Sequence, residues 1–365
     1  MKIDEIPFRK TGYFSELICD YLEGDKAVKS FYGRYPYLEG FKEQLMEKQS
    51  SFPTENRDIL VKALQQQYDG FQASGATKNN ITQLIKNTAF TITTGHQLNL
   101  FTGPLYFLYK IITTINLTKE LSKSHPEFQF VPVYWMATED HDFEEINYFN
   151  FRGKKLRWNP SGRKEGAVGK LVSTGLDILF ETFSKEIGGG QQAETLKSLF
   201  KKAYLEHKNL TDATRFLANA LFGEYGLVII DGDDRELKKL LVPYVKKDLL
   251  DEQSFIKVTE TIAELQSIPK NYGIQVNPRE INYFYLIDGL RERIIGKDGR
   301  FYVNNTQLEF SKDEFLRELE GFPERFSPNV ICRPLYQEVI LPNLCYIGGG
   351  GDLAYWLQLK SFFKE

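Results

Sequence analysis

Four times along the chain a short apolar run ends in a polar or glycine-rich loop, and a helical pattern follows. The runs are Phe90–Thr94, Phe130–Met136, Gly226–Ile230 and Leu344–Ile347. The loops behind them read GHQLNLFTG, ATEDHDFEE, DGDD and GGGGD. After the first loop a helix is predicted from about Pro104 to Ser122, because Leu105, Leu108, Ile112 and Ile115 fall at i, i+3, i+7 and i+10. Pro104 suits a first helical position, where a missing N–H goes unnoticed. Further helices are predicted from the DGDD loop through Leu250, over 251–268 as a link between two halves, and from about Leu353 to Phe363. Residues 1–88 read as mainly amphipathic helices.

Strands alternating with helices predict an α/β fold, a doubly wound parallel sheet joined by right-handed crossovers. Two stretches interrupt that pattern. Residues 148–225 begin with the glycine- and basic-rich NFRGKKLRWNPSGRKEGAVGKL and continue into amphipathic helices near 192–222. Residues 282–328 contain alternating strands around GKDG, a hairpin turn signal. Both are read as insertions in one sheet domain. The sheet domain then comprises 1–147, 226–281 and 329–365. In open parallel sheets, ligands bind outside the carboxyl ends of the strands. All four unusual loops are predicted to lie there.

Composition narrows the function classes. A chain of 365 residues suits two domains of about 100–200 residues each, or one domain with large insertions. A hydrophobic fraction of 42% supplies ample core, and 28 Phe with 20 Tyr make it aromatic. The net charge of −3 gives no reason to expect a nucleic-acid partner. Three cysteines (Cys19, Cys332, Cys345) in no CxxC pair are expected to be reduced, with Cys345 buried in a strand rather than nucleophilic. The start, MKIDEIPFRKTGYF, has no apolar signal-peptide core, and no apolar run of about 20 residues follows. A soluble, cytoplasmic protein without a membrane partner is expected.

The loops carry the candidate chemistry. A strand–loop–helix element aims backbone N–H groups and a helix dipole at an anion. Gly95 and Gly103 would permit close approach, and His96 and Gln97 would add side-chain donors. The alternative is a histidine satisfied by carbonyls in a tight turn. Lys110, on the following helix, is a solvated lysine by default, although it has the length to reach a bound anion. In the second loop Glu139, Asp140, His141, Asp142, Glu144 and Glu145 crowd five carboxylates and an imidazole into seven residues. Repulsion there needs a cation, an ammonium group or a proton to relieve it. A solvated acidic helix start, a divalent metal site and a site that holds and deprotonates an amine all stay open. Gly348, Gly349 and Gly351 lie in a candidate anion nest, in which Asp352 would act as a cap or as partner to an amine or ribose hydroxyl. Asp231 either caps the next helix or accepts from a ribose hydroxyl. No GxSxG or paired Cys/His arrangement points to acyl-enzyme hydrolysis.

The blocks TGHQLNLFTGPLYFLYK (94–110), VPVYWMATEDHDFEEIN (131–147), SPNVICRPLYQEVILPN (327–343) and YIGGGGDLAYWLQLK (346–360) resemble those of the bacillithiol biosynthesis BshC family, the cysteine-adding enzymes of that pathway. The resemblance implies a Rossmann-like core related to class I aminoacyl-tRNA synthetases and other nucleotidyltransferases, with two connective-peptide insertions. It implies amide ligation of cysteine to glucosaminyl-malate. It also implies a homodimer formed through a C-terminal coiled-coil arm, and the sequence stops at Glu365 ahead of any such arm. One departure is local: the family's GGPGE-like loop is here Gly348-Gly349-Gly350-Gly351-Asp352.

Under that resemblance, His96 with Asp140, His141 and Asp142 form the expected catalytic set. His96 and Gln97 would stabilise phosphate or acyl oxygens, and the acidic loop would take a proton from the glucosamine nitrogen. Thr94, Gly95, Gln97, Asn99, Gly103, Glu139, Asp231, Gly348, Gly349, Gly351, Asp352 and Tyr355 are the expected binding residues. ATP or another nucleotide is the expected energy source, and no metal is assigned. A nucleotide- or thiol-binding regulatory module and a metal-dependent hydrolase are the competing readings.

Overall fold

The computed structural model describes residues 4–160, 162 and 165–364. Ser161, Arg163 and Lys164 of the basic-rich stretch therefore lie outside the described residues. In chain order the strands are β1 (Ala89–His96), β2 (Gln129–Met136), β3 (Tyr148–Phe151), β4 (Lys154–Arg157), β5 (Val228–Asp231), β6 (Tyr283–Ile287), β7 (Leu290–Lys297), β8 (Arg300–Val303), β9 (Glu309–Ser311), β10 (Phe326–Pro328) and β11 (Asn343–Ile347). The central sheet has the order β11-β1-β2-β5, with every pair parallel. Helices cover both faces, so β1 and β2 are near-continuously buried and do not alternate. Pro132 is tolerated within β2 because pairing with β5 starts only at Val133. The buried hydroxyls of Thr91 and Thr93 find Asn343 Oδ1 at 3.2 and 2.8 Å, which ties β1 to β11 through side chains as well as backbone. The architecture is thus the α/β fold with a parallel sheet that the alternating pattern predicts, and it fits the Rossmann-like core that the resemblance implies.

The insertions hold their own elements. Residues 148–225 form the β3–β4 hairpin and the helices Leu176–Ile187, Gln191–Tyr204 and Leu210–Phe222. Residues 283–328 form an antiparallel sheet of order β10-β6-β7-β8-β9, with helix Lys312–Gly321 packed on it. GKDG makes the β7–β8 turn: Asp298 and Gly299 adopt φ of 51° and 73°, as a two-residue turn of matching twist requires. One continuous apolar cluster runs from the central sheet to Phe183 and Phe200 of the first insertion and Phe315 of the second. Among the described residues no helix is long and apolar enough to cross a membrane. The three cysteines are free, and burial pushes the Cys345 thiol up to about 12.

Several local expectations are corrected. β1 runs through His96, so the histidine ends a strand and does not sit in the turn. The helix after it spans Tyr106–Ser124 and buries Phe107, Lys110, Ile111, Thr114, Ile115, Thr118 and Leu121, whereas Leu105 and Ile112 are exposed. The apolar stripe misleads because the inward face carries a lysine and two threonines whose polar atoms find partners within the fold. Thr114 and Thr118, for example, donate to the Lys110 and Ile115 carbonyls. Only one turn of helix, Phe143–Ile146, follows the second loop. The last helix begins inside the glycine run, at Gly350, and ends at Leu357.

Arg57 clips the N-terminal helices to the sheet. It is 1% exposed, donates to the carbonyls of Leu84 (3.0 Å) and Ala89 (2.8 Å), and lies over the rings of Phe52 and Phe90. Burial lowers its pKa to about 10, and it stays charged. Arg57→Ala leaves two buried carbonyls unpaired and a void at the start of β1. It should cost about 2–4 kcal/mol, read as a lower urea midpoint.

Candidate active site at the carboxyl edge of the sheet

From β1 the chain builds outward to β2 and β5, then returns to place β11 on the other side of β1. The strand order therefore reverses between β1 and β11, where crevices open in such sheets. In register, His96 lies beside Met136, and Met136 beside Asp231. With strands about 4.8 Å apart, the backbones of His96 and Asp231 are roughly 10 Å from each other.

His96 is mostly buried against the edges of Tyr106 and Phe107. Its Nδ1 is 3.1 Å from the Gln97 carbonyl, which can only accept, so Nδ1 carries the proton. Burial lowers the imidazole pKa to about 4, with the nearby Lys110 charge adding to the effect. The ring is thus neutral near pH 7 and Nε2 is an acceptor. This corrects the expectation of a donor aimed at phosphate or acyl oxygens. Asn99 Oδ1 lies beside the ring without a partner and would accept from it once protonated. The Gln97 amide is also committed, donating to Asp140 (2.9 Å) and Glu145 (2.7 Å), and Asn99 Nδ2 donates to the Glu145 carbonyl. Thr94 Oγ1 donates to the Ile347 carbonyl at 2.8 Å, a stitch between β1 and β11. Gly103, at φ 59°, is needed because a Cβ there would fall 2.4 Å from Asn99 Cβ.

The chain supplies its own cations to the acidic loop. Lys238, almost fully buried, pairs with Glu139 (2.6 Å) and Asp233 (2.9 Å). Lys170 of the first insertion reaches Asp233 at 3.0 Å. Arg291 of the second insertion lies 4.0 Å over the Phe284 ring and donates to His141 Nδ1 at 2.7 Å. An arginine only donates, so the proton of neutral His141 sits on Nε2, the opposite tautomer to His96. Asp140 accepts from the His141 N–H as well as from Gln97. The Asp142 carboxylate has no hydrogen-bond or ion-pair partner among the described residues. Burial and the neighbouring Asp140 charge raise its pKa.

Beside β11, Asp352 occupies the anion position that the glycines appeared to offer. Its Oδ2 accepts from the Gly349 N–H (2.9 Å) and from Lys110 Nζ (2.7 Å), and Lys110 also donates to the Gly95 carbonyl. Lys110 is therefore a buried staple between β1 and the glycine loop, not a solvated side chain. Gly348 and Gly349 are needed for close approach, since their Cβ atoms would meet Asp352 Cβ at 2.6 Å and Tyr106 Oη at 2.7 Å. Gly351 faces open space, and a Cβ at Gly95 would meet Tyr346 Oη at 3.1 Å. Tyr355 is buried next to Arg333, a residue the sequence reading left without a role. The Arg333 guanidinium lies between the rings of Trp135 and Tyr346, and its buried Nη2 has no partner.

At β5, Asp231 is not the helix cap. Asp234 takes that place, accepting from the Glu236 and Leu237 N–H groups. Asp231 Oδ1 accepts from Thr138 Oγ1 and the Asp233 N–H, and burial, then the Asp233 charge, push its pKa up to about 6. Among the described residues no three His, Cys, Asp or Glu side chains are grouped to hold a metal ion.

A family model described as Bacillithiol biosynthesis BshC, N-terminal Rossmann-like domain, matches residues 1–365. A relative from Flavobacterium johnsoniae is 58% identical over 363 residues, which is 100% of this chain and 68% of that protein. One from Christiangramia forsetii is 56% identical over 361 residues, 98% of this chain and 67% of that protein. One from Flavobacterium psychrophilum is 57% identical over 364 residues, 100% and 67% respectively. All three carry the name "Putative cysteine ligase BshC". The chain belongs to the BshC family.

Two titrations with opposite signs follow from these environments. Between about 6.5 and about 4 the unfolded chain binds a proton at His96 that the folded chain refuses, so this share of stability is lost as pH falls through that window. For Asp231 the folded chain binds the proton first, between 3.8 and about 6, so its share is full at low pH and lost as pH rises through about 6. His96→Gln should flatten the acid limb of the stability curve, and the His96 ring resonance should titrate near pH 4 by NMR.

Proposed function

We propose that this member of the BshC family forms an amide bond between cysteine and glucosaminyl-malate, acting on an activated cysteine carboxylate. The observation that carries the reading is a pair of unprotonated acceptors, His96 Nε2 and the Asp142 carboxylate, at the same edge of the sheet. Amide formation needs them. The acceptor amine must lose one proton before it attacks and a second after the C–N bond forms, as the C–O bond to the activating group breaks. A carboxyl with a raised pKa suits the first loss near neutral pH, and the neutral but weakly basic His96 ring offers a lone pair for the second, because the nitrogen of the adduct is far more acidic than the free ammonium. The Arg291-fixed His141 supplies an Nε2–H donor beside them, and Asn99 Oδ1 would steady a protonated His96.

Activation by ATP, giving an adenylate, is the version favoured by a synthetase-like core, and it belongs to the proposal. A phosphoryl or carboxylate group would be repelled from the acidic loop. Arg333, whose Nη2 has no partner, would hold it on the β1–β11 side, with the Lys110 charge behind Asp352 in support. Pairing of two copies through a helical arm, for which the greater length of the relatives has room, and a cytoplasmic location belong to the same proposal. The metal-dependent hydrolase draws no support from a site without a grouped ligand set among the described residues.

Incubating the protein with cysteine, glucosaminyl-malate and ATP should yield bacillithiol by mass spectrometry. His96→Ala should lower kcat by roughly 100-fold or more in a chain that stays folded, with a melting temperature lowered by the loss of the packed ring. Full turnover in that variant would remove His96 from the mechanism. Absence of product with every nucleoside triphosphate would remove the nucleotide.

A further inference from the structure

A polar cleft of about 280 Å³ opens between the carboxyl end of β5 and the first insertion, beside the acidic loop. Asp231, Asp233 and Thr138 line it from the sheet, and Lys170, Thr211 and Asp212 line it from the insertion. Among the described residues no aliphatic or aromatic side chain contributes to its wall. Such a lining has no flat apolar face on which a nucleobase could stack. It suits a ring that carries many hydroxyls.

The charges in the cleft are not evenly matched. Asp233 is satisfied by Lys238 and Lys170. The Arg215 guanidinium at the floor is spent on the Ile229 carbonyl and on Gln67. Asp231 has only a hydroxyl and an N–H, both on Oδ1, and Asp212 has no cation partner among the described residues. Two carboxylates without an ion pair among the described residues therefore face the cavity, with only the engaged Arg215 charge near Asp231, and together they favour a positively charged, hydroxylated guest.

The backbone connects this cleft to the reacting edge. Beyond β2 the chain pairs with the insertion: Gly169 N–H donates to the Thr138 carbonyl (2.9 Å) and Val168 N–H to the Asp140 carbonyl (2.7 Å). A Cβ at Gly169 would fall 2.4 Å from Thr211 Oγ1, so the insertion lies directly against the cleft. One short extension thus carries Thr138 into the cleft and leads on to Asp140 and Asp142.

We propose that this cleft is the subsite for the amino-sugar ring of the acceptor, a polyhydroxylated ring bearing a cationic amine, with Asp231 and Asp212 accepting from its polar groups. The inference rests on the ligase reading above. A ribose shares the hydroxyl chemistry, so the nucleotide forms a separate arm of the test. Calorimetry on the whole chain would measure glucosaminyl-malate and ATP, each alone, against the wild type, Asp231→Asn, Asp212→Asn and Thr211→Val. Melting curves would confirm folding, and Thr211→Val, on the insertion surface, keeps the test open if an aspartate variant unfolds. The aspartate variants should weaken glucosaminyl-malate at least tenfold and leave ATP within twofold. Weakening of ATP instead would make the cleft a ribose site and overturn the proposal. Unchanged glucosaminyl-malate binding in every variant would overturn the subsite and leave the ligase reading intact. A wild type that binds no glucosaminyl-malate would overturn both.

Discussion

An ammonium group with almost no exposed surface, Lys238 Nζ, allows parallel strands to end in a crowd of carboxylates. It lies within 2.9 Å of both Glu139 and Asp233, so the loops after β2 and β5 share one buried charge. Burying three ions costs several kcal/mol each, offset only when every partner is in place. Without the lysine the two loops would repel each other or bind protons. Lys170 and Arg291 repeat the device from the two insertions. The insertions are therefore the counter-charge of the edge as well as its walls, and the edge is incomplete without them.

The edge divides into two chemistries. Towards β11, Lys110 and Arg333 make a cationic side, held in check by Asp352. Towards β5, carboxylates and hydroxyls dominate. His96 ends the strand between them. A reaction that brings an activated carboxyl group to an amine needs this asymmetry: the donor's oxygens carry negative charge and the acceptor arrives positive. Opposite tautomers at His96 and His141 extend the same logic to single atoms, one ring accepting and the other donating.

Much of the fold was legible because its signals are local. Apolar runs stopped by glycine or aspartate located β1, β2, β5 and β11, and GKDG located the β7–β8 hairpin. The site was less legible because its partners are remote. Lys110 looked like a solvated lysine, and the carboxylate that buries it lies 242 residues away. The GGGGD run looked like an open nest, although Asp352 folds back on Gly349. Asp231 looked like a cap because three aspartates crowd the approach to the helix; Asp234 meets it. Arg333 carries little local signal. An arginine within the apolar run VICRPLY was the one available hint, since a cation is seldom spent among buried residues without a purpose.

Phe101 has a consequence for how the chain becomes active. It sits at φ 48°, followed by Thr102 at 72° and Gly103 at 59°, and its ring packs against Phe149, Phe183 and Phe200 of the first insertion. Its N–H donates to Tyr204 Oη at 2.8 Å. Two successive non-glycine residues in left-handed backbone cost of order 1–3 kcal/mol each. The aromatic cluster is what repays that cost. During synthesis the loop after β1 emerges roughly 80–100 residues before the helices that anchor it. It can settle only after they arrive. A nascent chain, or a fragment cut ahead of Tyr204, would leave the loop that follows His96 unanchored, so competence for chemistry is gained late and all at once.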